Sequence, residues 1–454
     1  MSKLYLEYNQ KPKNSKWILL SFQHVFAMFG ATILVPRLTG LPVSVALFTS
    51  GIGTLIYIFF TKKKVPMYLG SSFAYIAAII SVYAATSNWG SVLTGLLVAG
   101  LVYVIIAIVI KFVGSGWLQK LLPSIIVGPM IIIIGLSLAS VAVSSAGLVT
   151  GGSVKIILTA LVSFSTVIIV ALKAKGFSRI IPFLIGIASG FGFAILLEIV
   201  FPGTVTSELG TVISDTRLVQ FDAIWAVIKS PQDWFKIPEF MILWFSDASV
   251  SVLGSNISFY QVNLAGVLTI APLALVTACE HIGDHQVLGK ITDNNYLENP
   301  GLHRTLMGDG VATAVAALLG GPANTSYGEN TSVVGITKVG SVYVTGLAAI
   351  IAVLLSFFNV FMVIIAQIPW AVLGGISIIL YGFIAGNGLK VMIEDKVDLT
   401  KTRNLIIVST MLVLGLGGAV INIGIAISGM ALAAFVGIIL NQILPQEKPL
   451  KSID

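Results

Sequence analysis

Five ionisable side chains stand inside long apolar runs: His24, Glu280, Asp284, Asp309 and Glu329. A carboxylate at the centre of a bilayer costs about 3 kcal/mol on insertion scales, so one that stays there points to a task. Glu280 lies deep in APLALVTACEHIGDH (271–285), and Asp284 follows by four residues, one helical turn on and on the same face. Glu329 opens a short segment in NTSYGEN (324–330). Two acidic groups on facing elements would accept N–H bonds from a small polar ligand. Amides left free at the starts of two short helices would donate to its carbonyl oxygens. A planar imide with alternating N–H and C=O matches that pattern, and Phe73 or Tyr327 is suited to pack on its flat face. A carboxylate buried in such a site is suited to carry a proton.

Each of these residues also has a structural reading. Glu280 and Glu329 could cap an interrupted helix, and Asp284 could touch water at the membrane surface. His24 could join two helices, and Asp309 could hold a helix contact. His281 and His285 fall off the Glu280 face and read as packing or interfacial residues. Glu198, near the end of an apolar run, reads as reaching the interface. Asn324, Thr325 and Ser326 could serve only to satisfy loose backbone.

The elements that position these groups are set by composition. Of 454 residues, 56% are hydrophobic and 10% charged, against about 25% charged in an ordinary globular domain. A bilayer core of roughly 30 Å needs about 20 apolar residues per helix. Such runs recur from Trp17 to Asn441 and place spans near 17–36, 43–60, 66–82, 91–111, 123–146, 154–172, 180–200, 264–288, 305–320, 327–339, 342–366, 369–387, 403–421 and 424–444. This is an all-α polytopic membrane protein of fourteen segments, with a more polar connection over 201–263. With the N-terminus inside, all 26 Lys and Arg residues but Arg37, Lys155, Arg217, Lys229 and Lys236 fall on the cytoplasmic side. That segregation orients a multi-pass protein of the cytoplasmic membrane with both termini inside. The net charge of +7 therefore reports topology and not a nucleic-acid partner. Cys279 is alone, which excludes an internal disulfide and a CxxC metal pattern.

The chain repeats itself. Pro123-Ser-Ile-Ile-Val-Gly128 returns as Pro369-Trp-Ala-Val-Leu-Gly374, Gly51-Ile-Gly53-Thr54 has a looser echo in Gly308-Asp-Gly310-Val-Ala-Thr313, and Gly70-Ser-Ser-Phe73 answers to Asn324-Thr-Ser-Tyr327. The shared offset corresponds to seven spans, dividing the chain into a first repeat over 1–200 and a second over 264–454. An odd number of helices per repeat inverts the second copy, and inverted repeats with paired interrupted helices mark transporters with a midplane site. Interrupted backbone survives at that depth only where protein or a cavity satisfies it, which points at Tyr68–Ile76 and Asn324–Val333.

The runs QHVFAMFGATILVP (23–36), KVPMYLGSSFAYIA (64–77), ACEHIGDHQVLGKI (278–291), NPGLHRTLMGDGVAT (299–313) and GGPANTSYGENTSVVGITKV (320–339) resemble the nucleobase–cation symporter (nucleobase–ascorbate transporter) family, in its uracil permease branch. The resemblance runs over nearly the whole chain and is weakest between Phe201 and Val262. It implies a uracil:proton symporter with a core domain of spans 1–4 and 8–11 and a gate domain of spans 5–7 and 12–14. It implies short strands in the third and tenth spans that pair at the midplane. The ligand would be held by Glu280, Glu329 and main-chain groups of Phe73 and Gly328, with Ala31, Tyr327 and Tyr381 lining the pocket. No cofactor is implied beyond the coupling proton, for which Glu280 is the acceptor, tuned by Asp284 and His24. Family members are often homodimers. The chain departs from the branch at Asp284, where uracil permeases commonly carry histidine and xanthine carriers aspartate. YGEN (327–330) matches the pyrimidine branch, since purine carriers usually place glutamine where Glu329 stands.

Three other readings compete. The same scaffold could carry a purine such as xanthine. An anion exchanger of the related seven-plus-seven architecture favours a cation between the short segments, yet neither segment contains Lys or Arg. An enzyme would need a nucleophile–base pair or a metal cluster, and four histidines and one cysteine occur with no HExxH or comparable spacing.

Overall fold

Apolar helices that cannot bury a single face against water instead pack on one another and on lipid, and the chain is built from nineteen described helices of this kind. The computed structural model describes residues 4–203, 205–208, 211–215, 217–241, 251–252, 255–256, 264–422 and 426–445. Much of the connection expected over 201–263, together with Lys3, Lys448, Lys451 and the first residues of the last expected span, lies outside them.

The helices are α1 (Asn14–Thr39), α2 (Val43–Phe60), α3 (Ile76–Thr86), α4 (Trp89–Val113), α5 (Gly116–Leu121), α6 (Ser124–Leu136), α7 (Ala139–Ser145), α8 (Val154–Lys173), α9 (Pro182–Val200), α10 (Phe221–Lys229), α11 (Leu264–Ile270), α12 (Leu273–Thr292), α13 (Leu302–Leu318), α14 (Gly328–Thr337), α15 (Val342–Ser356), α16 (Asn359–Ala366), α17 (Trp370–Glu394), α18 (Thr402–Leu416) and α19 (Gly429–Ile443). Among the described residues, eight helical stretches have the length and composition to cross a membrane, and four shorter apolar helices accompany them. Apolar side chains such as Phe112, Leu172 and Val413 are exposed on the outside, where lipid would cover them.

Several expected spans are broken helices. The run 123–146 is divided between α6 and α7, 342–366 between α15 and α16, and 264–288 is interrupted where Ala271 and Pro272 separate α11 from α12. The run expected over 424–444 is helical only from Gly429, because a hairpin pairs Val420–Asn422 with Ala426–Ser428. The helices sort into two packed groups. α4 lies against α13, α11 and α12, while α2 lies against α13 and α15, and α15 against α1; in the second group α17 packs on α6, α7, α8 and α9, and α18 on α6 and α19. Close approach is bought with glycine. A Cβ at Gly100 on α4 would sit 2.6 Å from the Ala314 nitrogen of α13.

Within the first group two short strands, β1 (Leu69–Ser71) and β2 (Asn324–Ser326), pair antiparallel, with Leu69 opposite Ser326, Gly70 opposite Thr325 and Ser71 opposite Asn324. They come from opposite halves of the sequence, and each leads directly into a helix.

Candidate functional site

A strand pair buried among apolar helices leaves its outer N–H and C=O groups without water, so side chains must supply the partners. They do. The Leu69 carbonyl accepts from the Ser50 hydroxyl at 2.8 Å, and the Leu69 amide donates to Thr54 Oγ1 at 2.9 Å. On the other edge Thr313 Oγ1 donates to the Asn324 carbonyl at 2.7 Å, and Asn324 Nδ2 donates to the Thr49 carbonyl at 2.7 Å. The Tyr327 amide donates to the Tyr68 carbonyl and the Ser72 amide to the Ala323 carbonyl, which extends the pair at both ends. Hydroxyls and an amide on α2, α13 and β2 thus hold the two broken segments in one register.

Beyond the strands the chain turns helical at once, through a 3₁₀ turn over Phe73–Tyr75 into α3 and through Gly328 into α14. Neither start has a side-chain cap, so the free first-turn amides remain available near the middle of the molecule. A Cβ at Gly70 would sit 2.4 Å from the Tyr327 ring, so only glycine lets that ring lie flat across β1. The Tyr327 hydroxyl donates to the Ser71 carbonyl at 2.7 Å and accepts from Thr32 Oγ1 at 3.3 Å. Tyr327 is therefore committed to bracing the strands and is almost fully buried.

A cavity of about 270 Å³ opens beside these helix starts. One wall carries Ala31, Phe73, Glu329 and Ser332; the other is formed by Phe183, Ile187, Leu373 and Leu380. It extends past Phe26 of α1, Ile336 of α14 and Arg179 before α9, towards the face of the molecule where the N-terminal helix begins.

Asp284 adjoins the start of α14, since a Cβ at Gly328 would lie 3.4 Å from its Oδ1. Glu280 is surrounded by protein at depth and close enough to Glu329 and Asp309 to repel them when ionised, yet its side chain stays accessible. It is not among the residues that line the cavity of about 270 Å³, and neither are Asp284, Tyr327, Gly328 or Tyr381. Tyr381 packs in the same apolar cluster as Ala31, Phe73 and Tyr327; its hydroxyl and that of Ser377, one turn before it, are buried and near enough to interact with each other. His24 is set apart: Asn330 Nδ2 bridges its ring nitrogen and its carbonyl, both at 3.1 Å, tying α1 to α14.

Residues with bland readings turn out to form a continuous buried network behind the strands. His281 Nδ1 meets Asp309 Oδ2 at 2.8 Å, and the Ser326 amide and hydroxyl donate to Asp309 at 3.2 Å. His285 Nδ1 lies 2.7 Å from the His281 carbonyl and its Nε2 lies 2.5 Å from the Tyr57 hydroxyl; the two imidazoles stack at 3.9 Å. A carbonyl only accepts, so His285 carries its proton on Nδ1 and accepts from Tyr57. His281 and His285 are thus neither interfacial nor mere packing. Glu198 likewise does not reach the interface: it is buried and accepts from the Gly203 amide at 2.7 Å and the Leu218 amide at 2.8 Å. The i, i+4 spacing of His281 and His285 on one helical face was the available signal for the network.

Paired broken segments buried inside one of two packed helix groups, beside a cavity that the other group faces, define the fold. The transmembrane domain of a cyanobacterium bicarbonate transporter, BicA, shares it with a TM-score of 0.56, over 92% of this chain and 97% of that one at 15% identity. The family model described as "Permease family" matches residues 15–424, and the chain belongs to that family. It is 44% identical to a uracil permease of Bacillus subtilis, over 98% of this chain and 96% of the relative, and 43% identical to a uracil permease of Bacillus caldolyticus over the same shares.

Proposed function

We propose that this chain imports uracil with a proton across the cytoplasmic membrane, by alternating access on fourteen spans arranged as two inverted repeats of seven. The reading rests above all on the asymmetry of the cavity. The polar side chains on one wall, Glu329 and Ser332, and the helix start at Phe73 belong to the strand-bearing group, which is the core. Apart from Arg179, the facing wall from α9 and α17 is apolar, and this group is the gate. A ligand held by hydrogen bonds to one body can travel with it, while the other body slides past without breaking a polar contact.

Uracil presents N–H groups that Glu280 and Glu329 accept and carbonyl oxygens that the amides of Phe73 and Gly328 satisfy. Ala31 and Tyr381 complete the pocket on either side. The three carboxylates Glu280, Asp284 and Glu329 disfavour an anionic cargo. Both termini are cytoplasmic, so the cavity opens inward. Uracil is neutral, and the membrane potential acts on it only through the proton. One charge moved through 100 mV releases about 2.3 kcal/mol, or roughly 50-fold accumulation. Glu280 takes that proton, with Asp284 and His24 adjusting its affinity.

Uptake into proteoliposomes with an imposed pH gradient and a panel of competing bases tests the proposal. Glu280→Gln is expected to abolish concentrative uptake, and calorimetry on Glu329→Ala to show no uracil binding. Undiminished accumulation in the first variant removes Glu280 as proton carrier, near-normal affinity in the second removes Glu329 from the site, and stronger competition by xanthine than by uracil assigns the scaffold to purines.

A further inference from the structure

A second polar depression of about 680 Å³ lies far from the ligand cavity in sequence, where the starts of α6 and α18 meet the turn after α17 and the end of α19. Its lining holds Lys120, Lys396, Lys401 and Arg403 against Asp395 and Asp398. The acidic groups are already engaged. Asp395 accepts from the Ser124 hydroxyl, and Asp398 accepts from the Thr400 amide at 3.0 Å and hydroxyl at 2.6 Å, bonds that hold its carboxyl below the usual carboxylate range. Arg403 is engaged as well, donating to the Leu444 and Asn441 carbonyls at 3.1 and 2.7 Å, which clamps α18 to the end of α19. Lys120, Lys396 and Lys401 are exposed and have no ion-pair partner among the described residues. The first-turn amides of α6 and α18 add positive ends of two helix dipoles to the same basin.

We propose that this basin binds the phosphate of an anionic phospholipid headgroup. Two observations favour a lipid over free phosphate. The basin sits where spans end at a membrane face, which the orientation proposed above makes cytoplasmic. Exposed Ile393, Leu399, Leu405 and Ile443 stand on the elements that form it, offering apolar surface for acyl chains beside the cations. Basic pockets between spans on that side suit anionic headgroups. The lipid would join the ends of α5 and α6, from the first half of the chain, to α17, α18 and α19 from the second.

The experiment is thermal unfolding of the full purified chain in micelles doped with phosphatidylglycerol or phosphatidylcholine, or supplied with inorganic phosphate at matched ionic strength, read beside native mass spectrometry of retained lipid. Phosphatidylglycerol is expected to raise the midpoint by about 3–5 °C, as a ligand specific to the folded state does, with phosphatidylcholine inert. The triple variant Lys120→Gln/Lys396→Gln/Lys401→Gln is expected to lose that rise and the retained lipid, while Lys229→Gln/Lys236→Gln on the opposite face keeps both. An equal rise in the triple variant overturns the site. An equal rise with inorganic phosphate overturns the lipid as its occupant. If the triple variant does not fold, Lys396→Gln alone is read by lipid count, and an unchanged count overturns the site. None of these readouts depends on uracil, so failure here is separable from failure of the transport proposal.

Discussion

Asp309→Asn tests whether the buried network sets the geometry of the ligand site. In the protein the two carboxylate oxygens of Asp309 receive the Ser326 amide, the Ser326 hydroxyl and His281 Nδ1. Asparagine keeps the shape but has one acceptor oxygen and one NH₂ donor. With its oxygen at the Oδ2 position the asparagine still accepts from the Ser326 N–H and from His281, and the Ser326 hydroxyl must turn to accept from the NH₂; with the amide reversed, the Ser326 N–H and His281 both face a donor. Losing a buried hydrogen bond to a charged acceptor costs about 1.5–3 kcal/mol. A loss of about 3 kcal/mol corresponds to a factor above 100 in the equilibrium it acts on. Ser326 ends β2 three residues before Glu329, so the strain falls where the ligand's donors and acceptors are set. The expected outcome is at least 10-fold weaker uracil binding by calorimetry on the purified chain, together with a lowered unfolding midpoint. Affinity within threefold of the parent and a midpoint within about 1 °C would refute the reasoning, by showing that the network and the ligand site do not depend on an acceptor-only carboxylate at this position.

Gly70→Ala drives a methyl into the Tyr327 ring, and overpacking of this kind costs about 1–3 kcal/mol; uptake is expected to fall, and the cost of Gly70→Ala to thermal stability is expected to shrink in a Tyr327→Ala background, where the ring it strikes is gone. Arg37 closes the face opposite the cavity mouth, donating to the Ile368 carbonyl at 3.0 Å and lying 5.2 Å over the Trp370 ring. Arg37→Ala removes about 1–2 kcal/mol from that contact, and labelling of a cysteine placed at Ser332, in a chain with Cys279→Ser, is expected to slow as the inward-open population shrinks. Glu198→Ala leaves two buried amides without an acceptor and is expected to lower the unfolding midpoint while uracil affinity stays unchanged.

What could be read from the residues divides along physical lines. Runs of apolar residues register directly, and the expected span 43–60 coincides with α2. Breaks within runs do not register, because Ser137 and Leu138 between α6 and α7, or Phe357 and Phe358 between α15 and α16, are as compatible with helix as their neighbours. Hydropathy also carries little rotational information in a helix apolar all round. So Asp309 stands out as a charge in the wrong solvent, while its partners, His281 and Ser326, are brought to it only by the packing of α12 and β2 against α13. Glu198 was misjudged for a related reason: the amides it binds belong to the connection that follows α9, and no local pattern announces that the chain folds back over it.

The division of labour between the two helix groups follows from where polar atoms are affordable. In the alternating-access cycle proposed above, a hydroxyl or carboxylate in the moving contact between core and gate would have to exchange partners on every turn, and each unpaired buried group would raise the barrier by about 1–3 kcal/mol. Confining the polar groups to one body avoids that barrier. The hydroxyls of Ser50, Thr54 and Thr313 spend their bonds inside the core, on strands that need them throughout. The gate offers Leu373, Ile376 and Leu380, which lose little when displaced. The exceptions are Ser377 and Tyr381 on α17, whose hydroxyls are buried one turn apart with no partner beyond each other among the described residues. Two hydroxyls that answer only to each other leave bonding capacity on the otherwise apolar element, and a state in which they meet the ligand or the core is the one that would hold the base on both sides at once.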